Sequence, residues 1–234
     1  MVLLSRSNSS ISGDKSDSSF GSYDLWVVKL DQNGNVLWDK TYGGNEIDVP
    51  EKIIEYGSGY LLLANSRSCN SGNKIVHQIG NTDIWLVSLD YDSNITNQDV
   101  IGTTEYEAVE DAVLLNDQEV IISTLSLRLE NNSKTEPNYG EGDCWLVKYN
   151  FIDKTISSQV SLGGNESEQE SRIQIINDHI YVVMKSESGI SGSKTSPAFF
   201  QGDIWLVKLN EELQVKNQNT FGGNRLDLAT QICY

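Results

Sequence analysis

Asp24-Leu25-Trp26-Val27-Val28-Lys29-Leu30 returns as Asp83-Ile84-Trp85-Leu86-Val87, as Asp143-Cys144-Trp145-Leu146-Val147-Lys148 and as Asp203-Ile204-Trp205-Leu206-Val207-Lys208-Leu209. The four Trp residues, 26, 85, 145 and 205, stand 59, 60 and 60 positions apart. A second landmark follows each of them by 17 or 18 residues: Gly43-Gly44, Gly102-Thr103, Gly163-Gly164 and Gly222-Gly223. Two landmarks kept in step through four copies mark a tandem repeat, which decides the organisation of the chain before any local structure is argued.

One period contains four strand signals: Glu51 to Tyr56, Tyr60 to Asn65 after the turn Gly57-Ser58-Gly59, Asp83 to Leu89, and Asn94 to Ile101. Each is short, rich in β-branched, aromatic and aliphatic residues, and bounded by turn formers. Four antiparallel strands per repeat make one propeller blade; a period above the usual roughly 40 to 50 residues requires one long loop. Such a loop is present in every copy, at Ser7 to Tyr23, Ser66 to Thr82, Ser126 to Gly142 and Ser186 to Gly202. The expected fold is therefore all-β, a β-propeller of four blades with four strands each, in copies at about 1–47, 48–106, 107–167 and 168–227, with 228–234 completing the blade begun at residue 1.

In alignment Met1 falls opposite Tyr60 and Tyr234 opposite Glu55. Pairing of Leu226–Tyr234 with Val2–Ser5 is thus expected to close the ring and remove its open edge. The rival expectation is a fragment of a larger propeller, since Met-Val-Leu-Leu is too short for a secretory signal and lacks a basic n-region.

The residues Asp24 to Leu30, Gly34-Asn35-Val36-Leu37-Trp38, Tyr42-Gly43-Gly44, Asp48 and Ile53-Ile54 resemble the bacterial β-propeller repeats sometimes called SBBP repeats. Copies two to four depart from that pattern: the Gly34-Asn35 turn becomes Ser93-Asn94, Asp153-Lys154 and Glu212-Leu213, and the second Gly of the pair is Thr103. The resemblance implies a secreted or cell-surface bacterial protein, with the strand after the Gly-Gly loop innermost in its blade and the strand before it outermost.

Composition limits the partners. With 17 basic and 33 acidic side chains the net charge is −16, which repels nucleic-acid phosphates and anionic lipid head groups. No stretch approaches the roughly 20 apolar residues of a membrane span. Cys69, Cys144 and Cys233 are odd in number and lie at unrelated points of the repeat, so neither a disulfide framework nor metal-ligand spacing emerges; they read as small hydrophobes.

The sequence carries no Gly-x-Ser-x-Gly elbow or Walker loop, and His77 and His179 fall in a long loop and a hairpin turn of different repeats. No enzymatic activity is expected, because nothing singles out a base, a nucleophile or an unequal pair of carboxylates in one site. Asp31-Gln32-Asn33-Gly34-Asn35 looks like the start of a calcium loop, but its Gly comes too early and no bidentate Glu follows, so a hairpin turn is expected. The Trp residues are expected to fill the space between sheets with their N–H groups on backbone partners, and the Asp two positions earlier to close a turn.

Two further sets recur at the repeat spacing. Lys15, Lys74, Lys134 and Lys194 follow turn residues in the long loops; they read either as solvated turn lysines or as a ring of cations presented to a ligand. Asp48, Glu107, Glu168 and Asp227 stand five residues after the first Gly of each landmark; they read either as acceptors for their own loop N–H groups or as ligands of a hard cation such as Ca²⁺ at a channel mouth. The leading functional expectation is a non-catalytic binding or adhesion module whose long loops recognise a protein or glycan. A purely architectural spacer in a larger surface protein is the alternative.

Overall fold

The computed structural model describes residues 1–127 and 131–233, and these contain strands, turns and loops but no helix. The chain separates into two compact units, Met1–Gly102 and Thr103–Tyr234. The first unit holds β1 (Val2–Ser7), β2 (Asp24–Leu30), β3 (Val36–Tyr42), β4 (Asp48–Tyr56), β5 (Gly59–Ser66), β6 (Asp83–Asp90) and β7 (Ile95–Ile101). The second holds β8 (Glu107–Leu114), β9 (Glu119–Ser126), β10 (Asp143–Asn150), β11 (Thr155–Leu162), β12 (Glu168–Ile176), β13 (His179–Ser186), β14 (Asp203–Leu209) and β15 (Val215–Phe221).

Each repeat makes one antiparallel sheet with its strands in chain order: β4-β5-β6-β7, β8-β9-β10-β11 and β12-β13-β14-β15 have four strands, and β1-β2-β3 has three. The four strands predicted within one repeat are β4 to β7, extended by one to three residues at some ends. The repeated Asp-x-Trp segments form the third strand of each four-stranded sheet. These strands are central, and β6 and β10 are buried almost throughout, whereas the neighbouring edge strand β7 alternates and β15 is largely exposed. A half-exposed edge and a fully apolar centre are what the alternating and continuous apolar patterns of these segments require.

In each unit the core lies between its two sheets. Leu25 and Val27 pack with Leu62, Ala64, Trp85 and Val87 in the first, and Ile121, Leu146, Ile180, Val182, Trp205 and Val207 in the second. Trp85, Trp145 and Trp205 are wholly buried. The sheets of a unit are also joined through the main chain, by parallel bridges between Tyr23 and Ile47 and between Gly142 and Ser167. In the second unit the Glu110 carboxylate, on β8, accepts hydrogen bonds from the Glu170 N–H (2.7 Å), the Ser171 N–H (2.8 Å) and the Ser171 hydroxyl (2.5 Å). These residues form a bulge in β12 where Glu170 has φ of 59°, so a buried acid holds an irregular stretch of backbone. Burial pushes the Glu110 carboxyl up, and these three donors oppose the shift.

The strand expected over Leu226–Tyr234, which was to pair with Val2–Ser5, is absent from residues 226–233. β1 has β2 as its one neighbour, and residues 226–233 carry no strand, with Leu226 and Leu228 exposed. A strand persists only where its N–H and C=O groups find a ladder, and beyond Asp227 the segment has none; Tyr234 lies outside the described residues.

The hairpins after β2, β6, β10 and β14 share one design despite the sequence departures. Asp31 and Asp90 each accept N–H bonds two and four residues on and hold the Asn35 or Asn94 amide, which makes Asp31–Asn35 a hairpin turn and not a cation loop. The left-handed position is Gly34 (φ 85°), Ser93 (71°), Lys154 (57°) and Leu213 (60°). Backbone geometry is thus retained where glycine is not, at a steric cost of about 1–2 kcal/mol at each non-glycine site. Ser93→Gly is expected to stabilise the protein by about 0.5–1 kcal/mol, the relief of that cost less the added chain entropy of glycine. Urea unfolding checks it, and an unchanged or lower midpoint refutes the strain at Ser93.

Candidate functional site

The long loops begin where β1, β5, β9 and β13 end, and each folds back over its own sheet. Lys15, Lys74, Lys134 and Lys194 are all buried, Lys74 completely. The expectation of solvated or outwardly presented cations is therefore corrected: the four ammonium groups point inward and anchor the loops. The Lys74 ammonium donates to the Ser68 carbonyl (2.5 Å), that of Lys194 to the Ser188 carbonyl (2.7 Å) and the Ser186 hydroxyl (2.9 Å). Lys134 donates to Asn138 Oδ1 (2.8 Å) and the Ser126 hydroxyl (3.2 Å), and Lys15 to the Asp17 carbonyl (2.6 Å) and the Thr41 hydroxyl (2.5 Å).

Three of these ammoniums lie over the Trp of their own repeat, at 5.8 Å (Lys74 on Trp85), 6.0 Å (Lys134 on Trp145) and 5.6 Å (Lys194 on Trp205). A desolvated cation on an indole face contributes roughly 2 kcal/mol. Burial lowers the proton affinity of each lysine, and nearby carboxylates oppose it: Asp48 and Asp83 for Lys74, Asp143 and Glu107 for Lys134, Glu168 and Asp203 for Lys194.

A residue that sequence reasoning missed completes the anchor. Gln98 on β7 accepts the Trp85 Nε1–H (3.2 Å) and the Ile75 N–H (3.2 Å) and donates to the Asn73 carbonyl (2.7 Å), gripping the loop on both sides of Lys74. Gln159 on β11 does the same with Trp145, Thr135 and Ser133. Gln218 on β15 holds Thr195 and Ser193, and Asp39 on β3 accepts from Trp26 and Ser16. The Trp N–H thus meets a side chain where it has a partner, not the backbone acceptor expected; the Trp205 Nε1 has none. The recurrence at 39, 98, 159 and 218 was visible as a spacing, but a polar residue on an outer strand gives no sign of facing a loop.

The Asp before each Trp closes the end of its long loop as expected. Asp24 accepts from Phe20 (2.6 Å), Asp83 from Ile79 (2.8 Å), Asp143 from Tyr139 (2.6 Å) and Asp203 from Phe199 (2.6 Å). The second oxygens of Asp24, Asp143 and Asp203 are buried without a hydrogen-bond partner. They occupy the space where a Cβ on Gly43, Gly163 or Gly222 would fall, which is why the first residue of that landmark is glycine in these three copies.

Asp48, Glu107 and Glu168 are buried and turn back on their own loops. Asp48 accepts from the Gly44 N–H (2.8 Å) and the Ser66 (2.5 Å) and Ser68 (2.8 Å) hydroxyls, and Glu168 from the Gly164 N–H (2.8 Å) and the Ser186 hydroxyl (2.6 Å). Asp227 accepts from the Gly223 N–H (2.8 Å). Their oxygens serve local donors, and among the described residues no three His, Cys, Asp or Glu side chains gather as a cation site.

Thr103 shows how a departure is absorbed. In the flanking copies the hydroxyl that receives the Glu46 or Glu166 N–H belongs to Ser68 or Ser188. The equivalent position of the third copy is Arg128, outside the described residues. There Thr103 supplies the hydroxyl itself, accepting the Glu105 N–H (3.1 Å) and donating to Glu107 (2.7 Å). A Thr in place of Gly44 or Gly164 would collide with Ser68 or Ser188, so the two positions depend on one another.

His77 is exposed in its loop, and His179 Nδ1 lies 2.8 Å from the Asn177 carbonyl of its own turn. Cys144 is buried, which pushes its thiol up, while Cys69 and Cys233 are exposed.

Among mostly polar exposed residues the anchored loops leave a few large apolar side chains at the surface. Ile11, Ile75 and Ile190 are about two-thirds exposed and Phe20 about half. Beside Phe20 a cleft of about 550 Å³ is lined by Ile11, Asp17, Lys40, Asn73 and Asn94, with Lys40 and Asp17 paired at 3.4 Å. A smaller cleft of about 350 Å³ lies at the equivalent place in the last repeat, lined by Thr195, Pro197, Phe199, Gln218 and Asn219. In comparisons with known proteins, the chain matches no family model and no curated sequence.

Two outcomes test the anchor. Gln98→Ala leaves the Trp85 and Ile75 N–H groups and the Asn73 carbonyl without that partner, and is expected to cost about 2–3 kcal/mol in urea unfolding; a loss below 1 kcal/mol would show that Gln98 carries no such load. Burial raises the Asp143 carboxyl from 3.8 to about 6. The folded protein therefore binds this proton before the unfolded chain does, and the group's contribution to stability rises as pH falls from 7 through 6 towards 4. Asp143→Asn does not titrate, so the stability of the parent relative to this variant is expected to rise from pH 7 to pH 5. A difference between the two that stays constant with pH places the titration elsewhere.

Proposed function

We propose that the chain is a non-catalytic, propeller-like binding module of a secreted or cell-surface bacterial protein, and that its loop-side clefts take a glycan. The observation that carries this reading is the cleft beside Phe20. It combines a half-exposed aromatic ring, an aliphatic neighbour in Ile11, and the polar groups of Asp17, Lys40, Asn73 and Asn94. A sugar offers an apolar C–H face to such a ring and hydroxyls to such polar groups, and sites of this kind are concave with a few convergent polar side chains.

Rigidity of the loops supports the same reading. A loop of about 17 residues would ordinarily lose much conformational entropy on binding, but here the buried lysine and the outer-strand amide or carboxylate already hold it. The acidic balance of the chain disfavours nucleic acid and anionic membrane as partners.

A glycan array with the purified chain tests the proposal. Retention on one class of glycan is expected, and Phe20→Ala is expected to weaken it at least tenfold with an unchanged melting temperature. Absence of retention across the array, or retention indifferent to Phe20, overturns the glycan reading.

A further inference from the structure

Four side chains of the first unit converge on one point beside the β2–β3 hairpin. Lys29 on β2 and Trp38 on β3 are cross-strand partners. Tyr60 on β5 and Tyr91 in the turn after β6 come from the neighbouring sheet. The Lys29 ammonium lies over all three rings, 5.8 Å from the centre of Trp38, 5.7 Å from Tyr60 and 5.3 Å from Tyr91, and donates to the Tyr91 carbonyl (3.0 Å). Lys74, Lys134, Lys194 and Lys208, by contrast, face one ring each.

The rings are held in place by contacts that do not involve the lysine. Trp38 Nε1–H donates to the same Tyr91 carbonyl (3.2 Å), and the Tyr91 hydroxyl donates to the Tyr56 carbonyl (3.2 Å). The Tyr60 and Tyr91 rings meet edge to face, 5.4 Å between centres at 89°. A carbonyl oxygen accepts two bonds, so that of Tyr91 keeps its Trp38 donor when Lys29 leaves. Tyr60 is buried, Trp38 half-buried and Tyr91 39% exposed, which gives the enclosure a buried floor and a rim open to solvent.

The spacing of the rings suits a nitrogen larger than the one that lies among them. Attraction between a cation and a ring extends to about 6 Å from the ring centre, and the Lys29 Nζ stands near that limit from all three. A methyl carbon about 1.5 Å from the nitrogen would close each gap to roughly 4 Å, the contact distance between carbon atoms. A bare ammonium at this point therefore leaves the rings untouched, whereas a trimethylated nitrogen touches each of them. At the equivalent junction of the second unit Lys148 meets the Glu119 carboxylate (3.5 Å), and Ser158, Ile180 and Glu211 stand at the places of Trp38, Tyr60 and Tyr91. The three rings are thus a feature of this site and not of every copy.

We propose that Trp38, Tyr60 and Tyr91 form a binding site for the trimethylammonium group of a small cationic ligand of the choline class, and that Lys29 is its internal plug. The ligand nitrogen takes the place of Nζ with its methyls against the rings. Lys29 turns outward, where its strongly hydrated ammonium regains water while its stem stays on the protein. The net charge of −16 favours cations over anions at this surface. Two cations compete for one place, so the plug lowers the ligand's apparent affinity by the fraction of molecules in which the cage is open. The cage shares no lining residue with the cleft beside Phe20, so it stands or falls separately from the glycan reading.

Calorimetric titration of the intact chain with choline chloride, against potassium chloride at equal ionic strength, tests the proposal, with the Trp38 indole N–H followed by NMR. Saturable binding that shifts this resonance is expected. Lys29→Ser, which introduces the residue found at the equivalent Ser88, is expected to bind choline about tenfold more tightly or better. The neutral isostere of choline, with a quaternary carbon in place of the nitrogen, is expected not to bind. Trp38→Leu keeps apolar bulk without the indole face and is expected to weaken binding about tenfold or more; Tyr91→Leu, at an exposed turn, gives the same reading where Trp38→Leu does not fold. The proposal is overturned by absence of choline binding to Lys29→Ser, by equal affinity of Lys29→Ser and the parent, or by equal affinity for the neutral isostere. Binding indifferent to loss of either ring overturns it too, as does binding by Lys29→Ser alone, since the native chain would then hold no accessible site.

Discussion

The buried lysine ammonium is the interaction on which the loops and the surfaces they form depend. Enclosing a cation is costly unless it is paired and hydrogen-bonded, and here carbonyl or hydroxyl oxygens and, in three copies, the Trp face do both. The carboxylates on either side, the Asp before the Trp and the acid of the Gly-Gly loop, raise the lysine's proton affinity against the effect of burial. Without that charge the acids would face one another with less compensation: Asp24 is pushed up by burial first, and the Asp48 charge adds to it. Cation and acids are therefore mutually required, and this explains why Lys, Asp and Asp or Glu recur together at one spacing.

The Gly-Gly landmark follows from the same cluster by exclusion of volume. Its first Gly leaves room for a carboxylate oxygen of the buried Asp, and its second for the Ser that serves the acid five residues after the first. The first cannot vary while the Asp stays. The second can vary when the Ser is absent, as Thr103 shows by carrying the hydroxyl on its own side chain. A repeat that tolerates exchange at one position and not at its neighbour is responding to two different contacts, not to turn propensity.

The strands were legible because their apolar runs and turn formers alternate at strand length, and Asp31–Asn35 was legible as a hairpin because the segment had two strands to join. The acids turning back on their loops were legible as one of two readings, since an Asp or Glu shortly after a glycine turn has local N–H groups in reach. Burial of Lys15, Lys74, Lys134 and Lys194 was not: a Lys among Gly, Ser and Asn reads as solvated, and only the loop's return over the sheet reverses that. Gln98 and Gln159 were missed for a related reason, because their role depends on a segment more than 20 residues away in sequence. The pairing of Leu226–Tyr234 with Val2–Ser5 within one chain was inferred from alignment alone, and alignment gives a register without giving a partner.

The division between what the copies share and what they vary carries the last step. Lys, Trp, Asp and the first Gly of the landmark are the same in all four, and the Lys and Asp are buried in every copy; the position of Phe20 is Ile79, Tyr139 and Phe199 in the others, and that of Asp17 is Val76, Glu136 and Ser196. The shared set fixes the loop backbone, so the varied set is displayed at equivalent places with different chemistry. Loops held by buried charge can change the side chains at these two positions without changing their shape, because the anchor takes main-chain groups there, the Asp17 carbonyl and the Phe20 N–H. A scaffold of this kind offers each repeat its own surface at little risk to the fold, which is the physical condition under which loop sequences diverge while the strands beneath them do not.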